Sequence, residues 1–322
     1  GRLEASGKAQ RCYVLGHYDS RNSDEMDREG DAPGANDDAS GVVVAIELAR
    51  VMAERQFDHT IVFMATAGEE QGLIGARRHV GSAVEAGAAV RGALSNDIVG
   101  DPTSPFGGRH DDRVRVFSEG LPSFAGGGER GGAMMLERLR RESALTESSS
   151  RQLARFVAEV GAWERLGVQA MLVFRADRFL RGGDHTPFHE AGFPAVRFCE
   201  VDEDYTRQHQ NVRTVDGKHY GDTAEFVDGP YLAGVARLNG AALAHLANAP
   251  AAPGHARIIT ANLGNNTTLR WEGSPEADTA GYEVVWRETT SPVWQWSKDA
   301  GATTEATLPI SKDNYFFGVR AY

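Results

Sequence analysis

Continuous apolar runs and helix-spaced apolar positions alternate along most of the chain. The runs at 12–16 and 60–66 are short and uninterrupted, as in buried strands. Between them Val44, Leu48, Val51 and Met52 recur at helical spacing. Predicted strands occupy 12–16, 60–66, a segment ending near 98–99, 169–174 and 193–198. Predicted helices begin near 38–40, 75, 149–150 and 231. This alternation predicts an α/β fold, with a mixed, mostly parallel sheet flanked by helices.

Polar and turn-forming residues mark the ends of these elements. Asp38 or Ser40 is expected to cap the first helix, and Ser149 or Ser150 a later one. The stretch 101–133 is rich in Gly, Pro and charged residues. We predict a long surface excursion there, because unstructured loops of such length are usually functional or disordered.

The composition changes after the last predicted helix. Residues 249–256 are rich in Ala and Pro, which predicts a linker after a first domain over 1–248. Short strand-like runs with turn signals between them follow at 268–271, 281–286, 306–308 and 315–319. They predict a small all-β, sandwich-like domain over 257–322 that is one closing strand short of a complete sandwich.

Charge and composition bear on partners and location. The 322 residues include 45 acidic and 34 basic side chains, for a formal net charge of −11. That balance argues against nucleic acid, whose phosphates require a basic surface. No apolar run reaches the roughly 18 residues of a membrane span, and the first residues lack a signal-peptide pattern. Cys12 and Cys199 lie in strand-like runs, where we expect buried thiols, with a disulfide as the alternative.

Acidic residues and a histidine follow several predicted strands. Glu69 and Glu70 come after the second strand, between glycines, and His17 follows the first. A lone acidic pair is usually a solvated turn. Here Asp37 and Asp97 complete a set of imidazole and carboxylate donors suited to zinc, at the sheet edge where α/β proteins bind ligands. Adjacent glutamates point in different directions, so one can bind metal while the other serves as a general base.

Five motifs occur in a specific order along this region. They are Gly16-His17-Tyr18-Asp19-Ser20, Pro33-Gly34-Ala35-Asn36-Asp37-Asp38-Ala39-Ser40-Gly41, Gly68-Glu69-Glu70-Gln71-Gly72-Leu73-Ile74-Gly75, Asn96-Asp97-Ile98-Val99-Gly100 and Asp184-His185-Thr186-Pro187-Phe188. Over roughly 12–248 the sequence resembles the bacterial di-zinc aminopeptidases of the leucyl aminopeptidase and aminopeptidase Y type. Glutamate carboxypeptidase and glutaminyl cyclase are more distant relatives.

The resemblance implies a metal-dependent exopeptidase that removes N-terminal residues from peptides. Two Zn²⁺ ions, or other divalent metals, would activate a water, and Glu69 would be the general base. The implied metal ligands are His17, Asp37 as the bridge, Glu70, Asp97 and His209. His219 is the rival for the last ligand, because the motif around His209 is incomplete. Asp19, two residues after His17, is expected to orient the imidazole through its carboxylate.

Further positions are implied as substrate contacts. They are Arg181, Asp184, His185, Tyr205 and Gln208. The segment containing Asp184 and His185 lines the substrate pocket in the family, and Asp184 is also expected to cap a helix. Tyr205 is the candidate for polarising the scissile carbonyl.

Other functions on the same scaffold remain open. A carboxypeptidase or dipeptidase would need a basic clamp for the substrate carboxylate, for which Arg181 and Arg197 are available. A glutaminyl cyclase would use one metal. A non-catalytic binding relative would have damaged ligands, whereas the early ones are intact here.

The C-terminal domain resembles a fibronectin type III module. The resemblance rests on the spacing of Trp271, Tyr282, Trp286 and Tyr315. Such a domain is expected to bind a polymer, a surface or another protein. The family resemblance implies a secreted or periplasmic enzyme.

Overall fold

The computed structural model describes residues 10–123, 128–261 and 264–322. The chain divides into two compact units, Gly1–Ala247 and Asn248–Tyr322. A six-stranded sheet and its helices form the first unit, and the second is built from strands. None of the described helices combines the length and the apolar composition needed to cross a bilayer.

The central sheet of the first unit is mixed and mostly parallel, as expected. Its strands are β1 (Arg11–His17), β2 (Thr60–Thr66), β3 (Val90–Asn96), β4 (Arg113–Phe117), β5 (Gln169–Val173) and β6 (Ala195–Cys199). They lie in the order β2-β1-β3-β6-β4-β5. Every neighbouring pair is parallel except β4 with β6. A separate two-stranded hairpin consists of β7 (Arg213–Val215) and β8 (Lys218–Tyr220).

Helices flank this sheet. They are α1 (Ala39–Met52), α2 (Ile74–Glu85), α3 (Gly128–Arg141), α4 (Ser149–Trp163), α5 (His185–Glu190) and α6 (Gly229–Asn248). The predicted stripe of α1 is buried at Val44, Leu48 and Met52, which pack with the sheet. Full burial of such side chains contributes about 1.5–3 kcal/mol each. Val51 was wrongly included, because its side chain is exposed to solvent.

Polar side chains cap the N-termini of α1 and α4. The side chain of Asp38 accepts a hydrogen bond from the Gly41 N–H and caps α1, as one of the two expected residues. The cap of α4 is Ser148, whose Oγ accepts from the Arg151 N–H, so the expectation of Ser149 or Ser150 was wrong. All three serines are adjacent, and only the backbone path selects among them.

The predicted surface excursion at 101–133 contains a buried strand. Val114 and Val116 of β4 are fully buried and alternate with Arg113 and Arg115. The arginines interrupt the apolar run, but alternation of polar and apolar residues is itself typical of a strand, so the interpretation as a surface loop was wrong for this part. Helix α3 begins within the same stretch, and residues 124–127 lie outside the described residues.

Parallel pairing brings several polar residues to one edge of the sheet. His17, at the end of β1, pairs with Thr66 at the end of β2. Strand β3 lies on the other side of β1 and ends at Asn96. Asp97 and the turn with the two glutamates therefore follow neighbouring strands at their carboxyl ends, where such sheets bind ligands.

Both cysteines are free and buried. Cys12 lies in β1 and Cys199 in β6, and β3 separates those two strands in the sheet. The alternative of a disulfide is therefore not realised in this structure.

The second unit consists of two three-stranded antiparallel sheets. They contain β9 (Gly254–Ile258), β10 (Thr267–Glu272), β11 (Tyr282–Glu288), β12 (Trp296–Gly301), β13 (Glu305–Leu308) and β14 (Tyr315–Ala321). The sheet orders are β13-β10-β9 and β12-β11-β14. Leu269, Trp271 and Val284 are buried in its core. Strand β9 begins within the predicted linker, and β12 had no predicted counterpart.

Candidate metal centre

His17 presents one imidazole nitrogen to a cluster of carboxylates. Its Nδ1 lies 2.9 Å from the backbone carbonyl of Asp19, to which it can donate a hydrogen bond. That contact leaves Nε2 directed at Asp37 Oδ1, 3.2 Å away, and Asp97 Oδ1, 3.9 Å away. The sequence predicted that the Asp19 carboxylate would orient the ring, but the closer atom is the carbonyl oxygen, since the carboxylate is 3.8 Å away.

The Asp19 carboxylate instead supports the turn with the two glutamates. Its oxygens accept hydrogen bonds from the N–H groups of Glu69 and Glu70, at 3.2 and 3.1 Å. One residue thereby positions both His17 and the acidic turn. This arrangement explains why His17 and the glutamates, which follow different strands, meet in a defined geometry.

Asp37 faces a histidine with each of its two oxygens. Oδ1 lies 3.2 Å from His17 Nε2, and Oδ2 lies 2.9 Å from His209 Nε2. Burial raises the pKa of Asp37, but His17 and His209 outweigh burial and hold it well below its usual value. A carboxylate placed between two imidazoles can bridge two metal ions.

The structure distinguishes the two histidines that compete for the last ligand position. His209 Nε2 lies 2.9 Å from Glu70 Oε1 as well as from Asp37. Burial lowers the pKa of His209, but the Asp37 and Glu70 carboxylates raise it to about 9. His219 lies on β8, where its Nε2 is 3.6 Å from Glu225, so it belongs to a different environment.

Glu69 lies close to His17 and Asp97. One of its carboxylate oxygens is within 4.8 Å of ligand atoms of both His17 and Asp97. Asp37, Glu70 and His209 form a second group by the same measure. Burial, and then the Asp97 carboxylate, raises the pKa of Glu69 to about 8. A carboxyl with such a pKa can hold and release a proton near neutral pH.

Buried polar atoms whose hydrogen-bonding capacity is not satisfied indicate that these residues fit a metal ion. His17 Nε2, Glu70 Oε1 and Asp97 Oδ1 are buried without a well-aligned hydrogen bond, although each lies near a charged neighbour, Asp97 Oδ1 being 2.9 Å from Arg197 Nη2. Leaving such groups unsatisfied costs about 1–3 kcal/mol each. Divalent cations between the two groups would satisfy all three atoms, and imidazole nitrogen with carboxylate oxygen is a donor set that zinc accepts. The residues therefore fit zinc.

Two acidic residues that support the cluster were not recognised from the sequence. The Asp38 carboxylate accepts hydrogen bonds from the His17 and Gly41 N–H groups, both at 2.9 Å. The Asp222 carboxylate accepts from the Asn36 and Asp37 N–H groups, with the Asp37 contact at 2.7 Å. The Asp-Asp pair was a visible signal for Asp38. No local pattern connects Asp222 with Asp37, 185 residues earlier.

Arg197 is fully buried behind the cluster. Its Nη2 lies 2.9 Å from Asp97 Oδ1, and its Nη1 lies 3.0 Å from Asp177 Oδ1. The side chain has no exposed surface. Arg197 therefore holds a candidate ligand from behind, and it is not placed to clamp a substrate.

A cavity of about 280 Å³ opens onto the candidate ligands. Asp37, Glu69, Glu70, Asp97 and His209 line it. The remaining lining residues are Gly72, Leu73, Arg178, Arg181 and Gly182. Arg181 is thus the one predicted substrate contact in this lining, within the part of the chain that the structure describes.

The other predicted substrate contacts lie around this lining. The Asp184 carboxylate accepts from Thr66 Oγ1 and makes no side-chain cap to α5. His185 Nε2 lies 2.8 Å from the Ala176 carbonyl. Tyr205 is exposed to solvent. Gln208 Nε2 donates to Asp37 Oδ2 at 3.2 Å and so contacts a candidate ligand.

Asp222→Asn is expected to weaken zinc binding by roughly 10- to 100-fold, the effect typical of residues that support a ligand. An amide nitrogen in place of one oxygen cannot accept from the Asn36 and Asp37 N–H groups. Competition with a chromogenic chelator measures the affinity. Asp216→Asn, an exposed position in the β7–β8 turn, is the matched control. Equal affinity of the two variants would show that Asp222 does not position Asp37.

Comparisons with known proteins identify relatives over nearly the whole chain. Residues 1–118 match Peptidase family M28. A probable zinc metalloprotease of Leptosphaeria maculans is 46% identical over 320 residues, which are 99% of this chain and 73% of the relative. A probable zinc metalloprotease of Pyrenophora teres f. teres is 44% identical and is covered over 66% of its length. The chain thus spans about two thirds to three quarters of these relatives.

Solved structures show the same fold at low sequence identity. The aminopeptidase from Aneurinibacillus sp. strain AM-1 is 22% identical with a TM-score of 0.51, over 77% of this chain and 47% of that one. BSAP, a zinc aminopeptidase from Bacillus subtilis, is 21% identical with a TM-score of 0.50, over 77% and 48%. The similarity to these bacterial enzymes is therefore one of fold. The two relatives with high sequence identity named above are fungal proteins.

Proposed function

Because the chain belongs to the zinc metalloproteases of peptidase family M28, we propose that it is a two-zinc aminopeptidase acting on peptides. The observation that carries the proposal is the pairing of two ligand groups around Asp37, with Glu69 on the wall of the same cavity. Similar folds described as aminopeptidases support it further.

The ligands divide into two sets that share one residue. His17 and Asp97 would hold one ion, and Glu70 and His209 the other, with Asp37 contacting both. Zinc bound there supplies Lewis acidity toward a carbonyl and toward water. The chain's own task is to keep the five donors in place, through the contacts of Asp19, Asp38 and Asp222 described above.

Glu69 would move the proton during hydrolysis. Its carboxylate takes a proton from the water that attacks the scissile carbonyl. It then gives the proton to the amine that leaves, so one residue acts first as base and then as acid.

The cavity favours the end of a peptide over its middle. Its volume of about 280 Å³ is slightly below the roughly 300–1,000 Å³ of typical ligand pockets. Carboxylates on its wall attract the protonated α-amine of a free N-terminus. Both features support removal of terminal residues.

A dipeptidase or carboxypeptidase is the second candidate. Arg178 and Arg181 line the cavity beside the candidate ligands, where a basic group could bind the carboxylate at the end of a short peptide. Among the alternatives drawn from the sequence, this one has a specific structural observation in its favour.

Metal analysis and a peptide panel test the proposed function. We expect about two zinc ions per chain, hydrolysis of peptides with a free N-terminus, and loss of hydrolysis when the same peptides are N-acetylated. Removing zinc with a chelator should abolish hydrolysis, and adding zinc back should restore it. Cleavage of the N-acetylated peptides with a free C-terminus would favour the carboxypeptidase, and binding of a single zinc would contradict the two-ion site.

We further propose that the enzyme is secreted and that its second unit is a fibronectin type III-like module. Two packed antiparallel sheets around Trp271 support the module. Such a unit would attach the enzyme to a polymer, a surface or another protein. Fractionation of the source culture into cells and medium tests the location, and recovery in the cytosolic fraction alone would contradict it.

A further inference from the structure

The guanidinium groups of Arg178 and Arg181, both on the cavity wall, differ in their contacts with the rest of the protein. Each guanidinium nitrogen of Arg178 contacts an acceptor of the protein. Nε lies 3.2 Å from Asp177 Oδ1, and Nη1 lies 2.8 Å from Glu203 Oε2. Its Nη2 donates to the Gly182 carbonyl at 3.4 Å. Its charge is thus neutralised internally, and it serves to hold the segment that follows it.

Arg181 has no such partners. Its side chain is 30% exposed, and in the described part of the chain its guanidinium has two contacts, both long. Nη1 donates to Gln208 Oε1 at 3.4 Å and lies 3.9 Å from Glu203 Oε2. Glu203 already binds Arg115 at 2.7 Å through Oε1 and Arg178 at 2.8 Å through Oε2. Arg181 therefore keeps most of its five donors for another group.

Gln208 places this guanidinium close to the candidate metals. The Gln208 amide accepts from Arg181 through Oε1 and donates to Asp37 Oδ2 through Nε2, at 3.2 Å. A single amide group thus separates Arg181 from the residue proposed to bridge the ions.

The backbone around Arg181 is also held in place. The Arg181 N–H donates to the Arg178 carbonyl at 3.1 Å. The Gly182 carbonyl accepts from both Arg178 and Arg197. The side chain therefore projects from an anchored segment into the cavity.

We propose that Arg181 forms a subsite for a substrate carboxylate within one residue of the scissile bond. This inference rests on the proposed peptidase function and names its preferred substrate class. A guanidinium can bind a carboxylate through two parallel hydrogen bonds, and a partly enclosed pair of this kind is stronger than a solvated one. Apart from Arg178, whose charge is paired inside the protein, and the His209 imidazole, the other ionisable side chains of the lining are acidic, so a substrate carboxylate is favoured at the Arg181 wall.

Two chemical sources could supply that carboxylate, and matched substrates separate them. Ala-Gly against Ala-Gly-amide tests a C-terminal carboxylate. Ala-Asp-amide against Ala-Asn-amide tests an acidic side chain after the scissile bond, and Glu-Ala-amide against Gln-Ala-amide tests one before it. The zinc-loaded enzyme should prefer the carboxylate in one of these pairs.

Arg181→Gln is expected to reduce that preference by roughly 10- to 100-fold in kcat/KM, mainly through KM. Arg175→Gln is the control, because it removes the same positive charge at a position six residues away. Arg175 is exposed and lies outside the cavity lining. It should leave the preference unchanged. Calorimetric titration of the same pairs into Glu69→Gln proteins, with and without Arg181→Gln, measures binding without turnover.

The outcomes separate this inference from the proposed function. If the wild-type enzyme hydrolyses none of the peptides, the peptidase proposal fails, and the binding ratios alone decide the role of Arg181. A carboxylate preference that survives Arg181→Gln overturns the subsite. So does the absence of any preference in both hydrolysis and binding. A preference lost in Arg181→Gln and kept in Arg175→Gln supports it.

Discussion

Glu69→Gln should lower kcat for an aminoacyl-nitroanilide by roughly 100- to 10,000-fold, the range of general acid–base catalysis. The amide has nearly the same size as the carboxylate but cannot take a proton from water. Glu69 lines the cavity, and a Glu69 oxygen lies within 4.8 Å of ligand atoms of His17 and Asp97. Steady-state kinetics measure kcat, and elemental analysis of the same sample measures zinc.

Zinc content gives this variant its diagnostic value. If Glu69 moves the proton, both ions stay bound while activity falls. If Glu69 is instead a ligand, zinc is lost together with activity. Glu85→Gln, at an exposed position of α2, is the control and should match the wild type in both measurements. Near wild-type hydrolysis with zinc retained would show that another group is the base.

His209→Ala should remove one of the two zinc ions and lower activity by more than the roughly 10- to 100-fold expected for a residue that only supports a ligand. The His209 imidazole is 2.9 Å from both Asp37 and Glu70, so its loss removes the nitrogen ligand that lies between these two carboxylates. Zinc stoichiometry and kcat of the purified variant are the measurements.

His219→Ala is the matched control for the last ligand. His219 lies in the β7–β8 hairpin near Glu225, and its replacement should keep two zinc ions and most of the activity. The reverse result, with zinc lost in His219→Ala and kept in His209→Ala, would overturn the assignment. Circular dichroism of both variants shows whether either change has altered the fold.

Local sequence was sufficient wherever a functional residue sits next to a strand end. His17 closes β1, Asp97 follows β3 directly, and the two glutamates follow β2 within a short turn. A buried strand can be recognised from its apolar run, and parallel strands present their carboxyl ends at one edge. The candidate donors could therefore be named before their distances were known.

Local sequence failed where charged residues occupy a strand or where adjacent residues compete. Arg113 and Arg115 interrupt the apolar run of β4, although Val114 and Val116, which alternate with them, are fully buried. The guanidinium carbon of Arg115 lies 5.0 Å from the centroid of the Phe117 ring, and its Nη2 lies 2.7 Å from Glu203 Oε1, so the strand can carry an arginine inside the sheet. Such burial depends on a partner that lies far away in sequence.

The sequence by itself determined the α/β class, the run of early candidate ligands and the candidate base, because these follow from short-range patterns. Tertiary structure decided the rest. It placed His209, and not His219, beside Asp37 and Glu70, because folding returns His209 to Asp37 while His219 stays in the β7–β8 hairpin near Glu225. It also set Arg197 behind Asp97 and left Arg181 with two long contacts on the cavity wall. Contacts such as those of Asp37 with His209 and Asp222 join residues far apart in sequence; they depend on how the strands pack, and no local spacing encodes them.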